Sequence, residues 1–118
     1  MPNSETFIKL PPAIGEAVLP TIRKTIPKDE FRVQKRIQTV DSYQTGLAGT
    51  LLDITIIVVT SSPACFAIAS IVRAWIKTRS SKKFVMTTEK GKFEIENLDS
   101  KELMEIIKQC KEISIKEK

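Results

Sequence analysis

Polar and apolar positions alternate along most of this chain, but the pattern breaks between Leu47 and Ile76. These thirty residues hold only two side chains charged at neutral pH, Asp53 and Arg73. The first half, Leu47 to Thr60, is apolar on nearly every side of a helical projection except for a seam of Thr50, Asp53 and Thr60. A helix apolar all round is buried in protein or lipid. Ser61-Ser62-Pro63 then reads as a helix start, because a serine caps free backbone amides and proline loses nothing at the first helical position. From Ala64 to about Thr78, Ile68, Ile71, Val72 and Trp75 form a stripe of large residues, opposite a small-residue seam of Ala67, Ser70 and Ala74. The stretch is therefore expected to be two helices joined by a tight turn.

On the N-terminal side, Pro2, Pro11, Pro12, Pro20 and Pro27 break up any long element. Thr6 to Leu10 can form a strand, and Pro12 suits the first turn of a short helix reaching about Leu19, where Pro20 ends or kinks it. FRVQKRIQTV sets Phe31, Val33 and Ile37 against Arg32, Gln34, Arg36 and Gln38, the period of a half-buried strand. On the C-terminal side, KFVMTT and KFEIEN flank Glu89-Lys90-Gly91, a hairpin whose glycine can take positive φ. Asp99 or Ser100 caps a last helix, with Glu102 as capping-box partner and Leu103, Ile106, Ile107 and Cys110 as its apolar face.

These elements add up to a single α+β domain over residues 1–118. An irregular segment with short strands and a helix (1–45) precedes an apolar helical hairpin (46–79), a β-hairpin (83–98) and a C-terminal amphipathic helix (99–113). In this arrangement the central helical hairpin packs with a small antiparallel sheet.

A chain of 118 residues can bury a core without a metal or disulfide staple. Cys65 and Cys110 lack the close spacing of a zinc site or a disulfide framework and read as core thiols. No basic segment leads into an apolar run at the N-terminus, so a cytoplasmic location is expected, with the inner membrane as the alternative. The net charge of +5 is unevenly placed: Arg73, Lys77, Arg79, Lys82 and Lys83 fall within eleven residues that contain no acid.

Catalytic chemistry finds little support. The chain has no histidine, the commonest general base. A Ser-Lys pair of Ser80 or Ser81 with Lys82 or Lys83 is formally available, but serines and lysines in such a loop read as ordinary solvated residues. Four glycines supply no phosphate-binding loop. No catalytic, cofactor or metal residues are assigned.

The interaction candidates are Asp53, Arg73, Trp75, Lys77, Arg79, Lys82 and Lys83. A carboxylate inside an apolar element must find a donor, water or a proton, so Asp53 either pairs with Arg73 or lies on the polar seam. The basic cluster is either a solvated helix end or a contact for anionic lipid or an acidic partner surface. Nucleic acid is disfavoured, since only Trp75 and Phe84 are near enough to stack. Trp75 reads equally as an interfacial anchor and as a core residue.

The order GLAGTLLD, apolar segment, IVRAWIKTR, GKFEIENL, SKELMEII resembles the effector-associated constant component family. Its members are small proteins encoded beside protease-like effectors in multi-component bacterial conflict systems. The resemblance covers residues 46 to 110, and Ala74, Trp75, Ile76, Lys77 and Arg79 carry most of it, followed by Gly91, Phe93 and Ile95. Ser61-Ser62-Pro63 departs from the glycine-rich turn the family often has. The resemblance implies a non-catalytic accessory component of a defence system, partnered by a caspase-like or trypsin-like effector and its adaptor domains, with no catalytic residues to carry over. The expected mode is self-association into a homo-oligomer, or effector docking, through the apolar helices. The alternative is a membrane-inserting component that uses the segment from Ile54 to Val72.

Overall fold

A computed structural model describes residues 4–39, 49–79 and 82–117. Six strands and three α-helices follow one another as β1 (Glu5–Leu10), α1 (Pro12–Thr25), β2 (Phe31–Thr39), β3 (Gly49–Val59), α2 (Pro63–Lys77), β4 (Phe84–Thr88), β5 (Gly91–Glu94), α3 (Ser100–Ile107) and β6 (Glu112–Glu117). The strands form one mixed sheet in the order β2-β3-β1-β6-β4-β5. All neighbouring pairs are antiparallel except β1 and β6.

The helical hairpin expected over 46–79 is overturned, since its first half is β3, a strand inside the sheet; residues 46–48 lie outside the described set. Ile54 to Val59 are six consecutive β-branched residues. Such side chains lose rotamer freedom against the preceding turn of a helix but pack well on a pleated surface. Their near-continuous apolarity also follows from position. Ile54, Ile56 and Val58 face the helices and are buried, while Ile57, on the other side of the strand, is buried in register between Phe7 and Arg32. Side chains of the neighbouring strands shield Ile57 on the face that carries no helix, so the alternation of a half-exposed strand is weakened there. The sheet is thus the extended centre of the fold, rather than a small hairpin beside two helices.

The second half of the stretch is helical as expected. Ser62 accepts a hydrogen bond from the Cys65 backbone N–H at 3.1 Å, and Pro63 occupies the first turn. Ile68, Val72 and Ile76 are buried beneath it. The alternative spanning segment, Ile54 to Val72, is therefore divided between a strand and a helix. Among the described residues, no helix is long and apolar enough to cross a membrane.

Two other boundaries move. The helix α1 continues through Pro20 to Thr25, because Ile14, Val18, Leu19 and Ile22 form one buried stripe that spans the proline. Burial of each such side chain contributes about 1.5–3 kcal/mol, comparable with the roughly 3 kcal/mol that an interior proline costs. The last helix stops at Ile107 instead of reaching 113, and the chain turns into β6, whose Ile113 and Ile115 are buried on alternate positions. The cap itself is as read: Asp99 and Glu102 form a capping box, with Glu102 N–H donating to Asp99 Oδ1 at 2.7 Å. The hairpin of β4 and β5 is also as read, with Gly91 at φ 132°.

All three helices cover the same side of the sheet. Their buried residues join Ile8, Leu10, Ile54, Ile56, Val58, Phe84, Met86, Ile113 and Ile115 in one core. Both cysteines are free and buried there. Among the described residues, the opposite face of the sheet carries no helix.

Candidate functional site: the uncovered sheet face

Strand alternation decides what the uncovered face displays. Burying Ile8 and Leu10 turns Phe7 and Lys9 outward, and burying Ile54 and Ile56 turns Asp53 and Thr55 outward. Following the register from strand to strand, Gln34, Thr55, Lys9, Ser114, Thr87 and Lys92 line up across all six strands. Beside this row lies a shallow hollow of about 860 Å³, bounded by Phe7, Lys9, Arg36, Asp53, Thr87, Glu89, Glu112 and Ser114 among others.

Asp53 is the electrostatic centre of this face. Its register partner on β2 is Arg36, whose Nε and Nη2 both donate to Asp53 Oδ2, at 2.8 and 2.6 Å. Lys9 Nζ stands 3.7 Å from the same oxygen. The Asp53 side chain is 8% exposed and that of Arg36 62%, so the acid is roofed by its own counter-ion. A second pair crosses β3 diagonally, with Arg32 Nη2 donating to Glu5 Oε2 at 2.7 Å. Just beyond Arg36 the register shifts: Ile37 pairs with Leu51, and Leu52 is the extra residue of a bulge.

Glu89 closes the far rim of the hollow. One carboxylate oxygen accepts the backbone N–H groups of Lys111 and Glu112, both at 2.6 Å. Those two amides hold the Glu89 carboxyl below its ordinary value of 4.5, and they pin the hairpin tip to the start of β6. On the other side of the sheet, the buried Thr6 hydroxyl donates to Cys110 O at 3.0 Å and bonds the Thr60 hydroxyl at 2.7 Å. Burial pushes the Cys65 thiol above its usual 9.0, against smaller opposing effects from Ser61 and Thr6. A buried thiol of this kind is inert.

The structure separates the residues expected to act together. Asp53 does not pair with Arg73, because they lie on opposite faces of the sheet; Arg73 Nε instead donates to Leu98 O at 3.1 Å. Trp75 is half-buried against the core, edge-on to Phe84 with ring centroids 6.2 Å apart, and Arg79 lies 4.5 Å over its ring. Lys82 reaches Glu117 at 3.8 Å and Lys83 reaches Glu96 at 3.9 Å. Lys77 is exposed at the end of α2. The cationic run is thus spread over separate intramolecular contacts. Ser80 and Ser81 lie outside the described residues.

Lys9, Arg32 and Arg36 were the members of the site that sequence reading passed over. Their signal was present: Arg32 and Arg36 occupy the polar phase of FRVQKRIQTV, and Lys9 sits between the buried Ile8 and Leu10. What hid them was the helical reading of β3, which removed the strand that brings Asp53 beside them.

Asp53 is held by a guanidinium and Glu89 by two backbone amides. Among the described residues no group of three or more histidine, cysteine, aspartate or glutamate side chains is placed to hold a metal ion. Among the described residues the domain has two layers, a sheet and the three helices on one of its faces. The family model described as Effector Associated Constant Component 1 matches residues 26–111, and the chain belongs to that family, an accessory component associated with effectors. No curated protein and no solved structure matches the chain.

Proposed function

We propose that this chain is a non-catalytic docking component of a bacterial defence system, which acts in the cytoplasm and binds a separately encoded caspase-like or trypsin-like effector through the uncovered face of its sheet. The observation that carries the reading is the one-sided placement of the helices. Among the described residues they leave a polar row across six strands without a helix over it, in a member of a family described as effector-associated. The helices themselves are not available for docking in the manner expected from sequence, since their apolar stripes are spent on the core. Paired charges on a solvated face serve partner choice and register more than affinity.

The test is to look for a protease-like gene beside the one that encodes this chain and to co-purify its product with it. Ser114→Arg and Thr87→Arg place a bulky cation in the middle of the row and are expected to weaken effector binding at least tenfold. Ala17→Arg, on the exposed side of α1, is expected to leave it unchanged. Full affinity in both face variants refutes the reading. Sedimentation of the isolated chain separates effector docking from a homo-oligomer formed through the same face.

A further inference from the structure

We infer that the outer edge of β2 is an acceptor for an extended, acidic segment of the docked partner, which adds to the sheet as a seventh strand. The inference rests on the docking reading above and supplies the chemistry of the contact. β2 ends the strand order and is nine residues long, whereas the strand at the opposite edge, β5, has four. In an antiparallel pair, alternate residues turn their backbone N–H and C=O away from the partner, so β2, which has no strand on its outer side among the described residues, offers a row of backbone groups there.

Charge selects the occupant. From Phe31 to Thr39 the strand carries Arg32, Lys35 and Arg36 and no acid. Asp53, which neutralises Arg36, is 8% exposed beneath a guanidinium that is 62% exposed, so an incoming chain meets the cation and not the acid. A second copy of β2 fits poorly. Antiparallel self-pairing centred on Lys35 pairs all nine residues but sets Lys35 against itself, and the registers centred on Gln34 and Arg36 pair seven but oppose Arg32 to Arg36 or Arg36 to Arg36. Like charges directly opposite are destabilising, while opposite charges there stabilise. Ile37, 53% exposed near the bulge, adds an apolar foothold at one end.

The probe is a synthetic peptide of about nine residues, the length of β2, with Glu at the positions that oppose Arg32, Lys35 and Arg36 across the pair and Val or Thr elsewhere, compared with its Lys-for-Glu counterpart. Amide hydrogen exchange and NMR shifts of the full chain are read with each. The acidic peptide is expected to protect the outward amides of β2 and leave β5 unchanged, and Lys35→Glu is expected to weaken it about fivefold, the effect of a cross-strand charge pair. Equal protection by the lysine peptide, or no protection of β2 at millimolar acidic peptide, overturns the proposal. Concentration-dependent protection of β2 without peptide also overturns it, in favour of a second copy. If the effector binds wild type and Lys35→Glu equally but loses Ser114→Arg, the edge proposal fails and the docking reading stands. If wild type does not bind the effector, the docking reading fails.

Discussion

Gly15→Ala offers a test whose sign separates packing from helix propensity. In an exposed helix interior, alanine in place of glycine stabilises by about 1 kcal/mol. Gly15 is buried in α1, where the helix crosses β3, and a Cβ built there lies 2.7 Å from Ile54 Cδ1, 2.8 Å from Ile54 Cβ and 3.1 Å from Ile54 Cγ1. Carbon atoms pack best at roughly 3.5–4.0 Å, so two of these contacts fall nearly 1 Å short. Ile54 is itself wholly buried, and its Cβ cannot move without moving the backbone of β3. Overpacking costs about 1–3 kcal/mol, and two contacts under 3 Å put this site in the upper part of that range, about 2–3 kcal/mol, so a net loss of about 1–2 kcal/mol remains after the propensity gain. Urea unfolding is expected to show a lower midpoint with an unchanged slope. In an Ile54→Ala background, which removes Cγ1 and Cδ1 but keeps Cβ, the cost of Gly15→Ala is expected to fall by about 1 kcal/mol, a coupling a double-mutant cycle resolves. A Gly15→Ala variant as stable as wild type, or more so, would mean that α1 does not approach β3 this closely.

Three further outcomes follow from the site. Among the described residues, Arg36→Ala leaves only Lys9 beside the Asp53 carboxylate and is expected to cost about 1–2 kcal/mol, a value kept low by the solvent exposure of the Arg36 side chain, and Asp53→Thr added to it recovers most of that loss; thermal unfolding of the single and double variants checks this. The lowered Glu89 carboxyl contributes stability that is complete above its ordinary value of 4.5 and is lost as pH falls through its depressed folded value, so Glu89→Gln is expected to flatten the acid limb of a stability profile below about pH 4.5. Cys65 and Cys110, both fully buried, are expected to resist a thiol-labelling reagent in buffer near neutral pH and to react together on unfolding; rapid labelling of the native protein would contradict their place in the core.

Local signals in the chain were enough for much of this fold. Ser62 before Pro63 marks where α2 begins, Asp99 with Glu102 marks α3, and Gly91 between two alternating runs marks the β4–β5 hairpin, because caps and tight turns are decided by residues within one turn of each other. Where β3 belongs is not a local property. Ile57 and Val59 blur the alternation that would mark β3 as a strand, and a short apolar run of this kind does not distinguish a central strand from a buried helix; β2 and β1, brought in from elsewhere in the chain, make it a strand. The same long-range pairing sets Asp53 against Arg36 and Lys9 instead of Arg73, and it gives the C-terminal EISIKE a neighbour in β1, more than a hundred residues away. The family could be recognised from short runs of sequence. Which surface is left for a partner depended on the side of the sheet that three helices chose to cover, a choice made by the summed burial of the whole core.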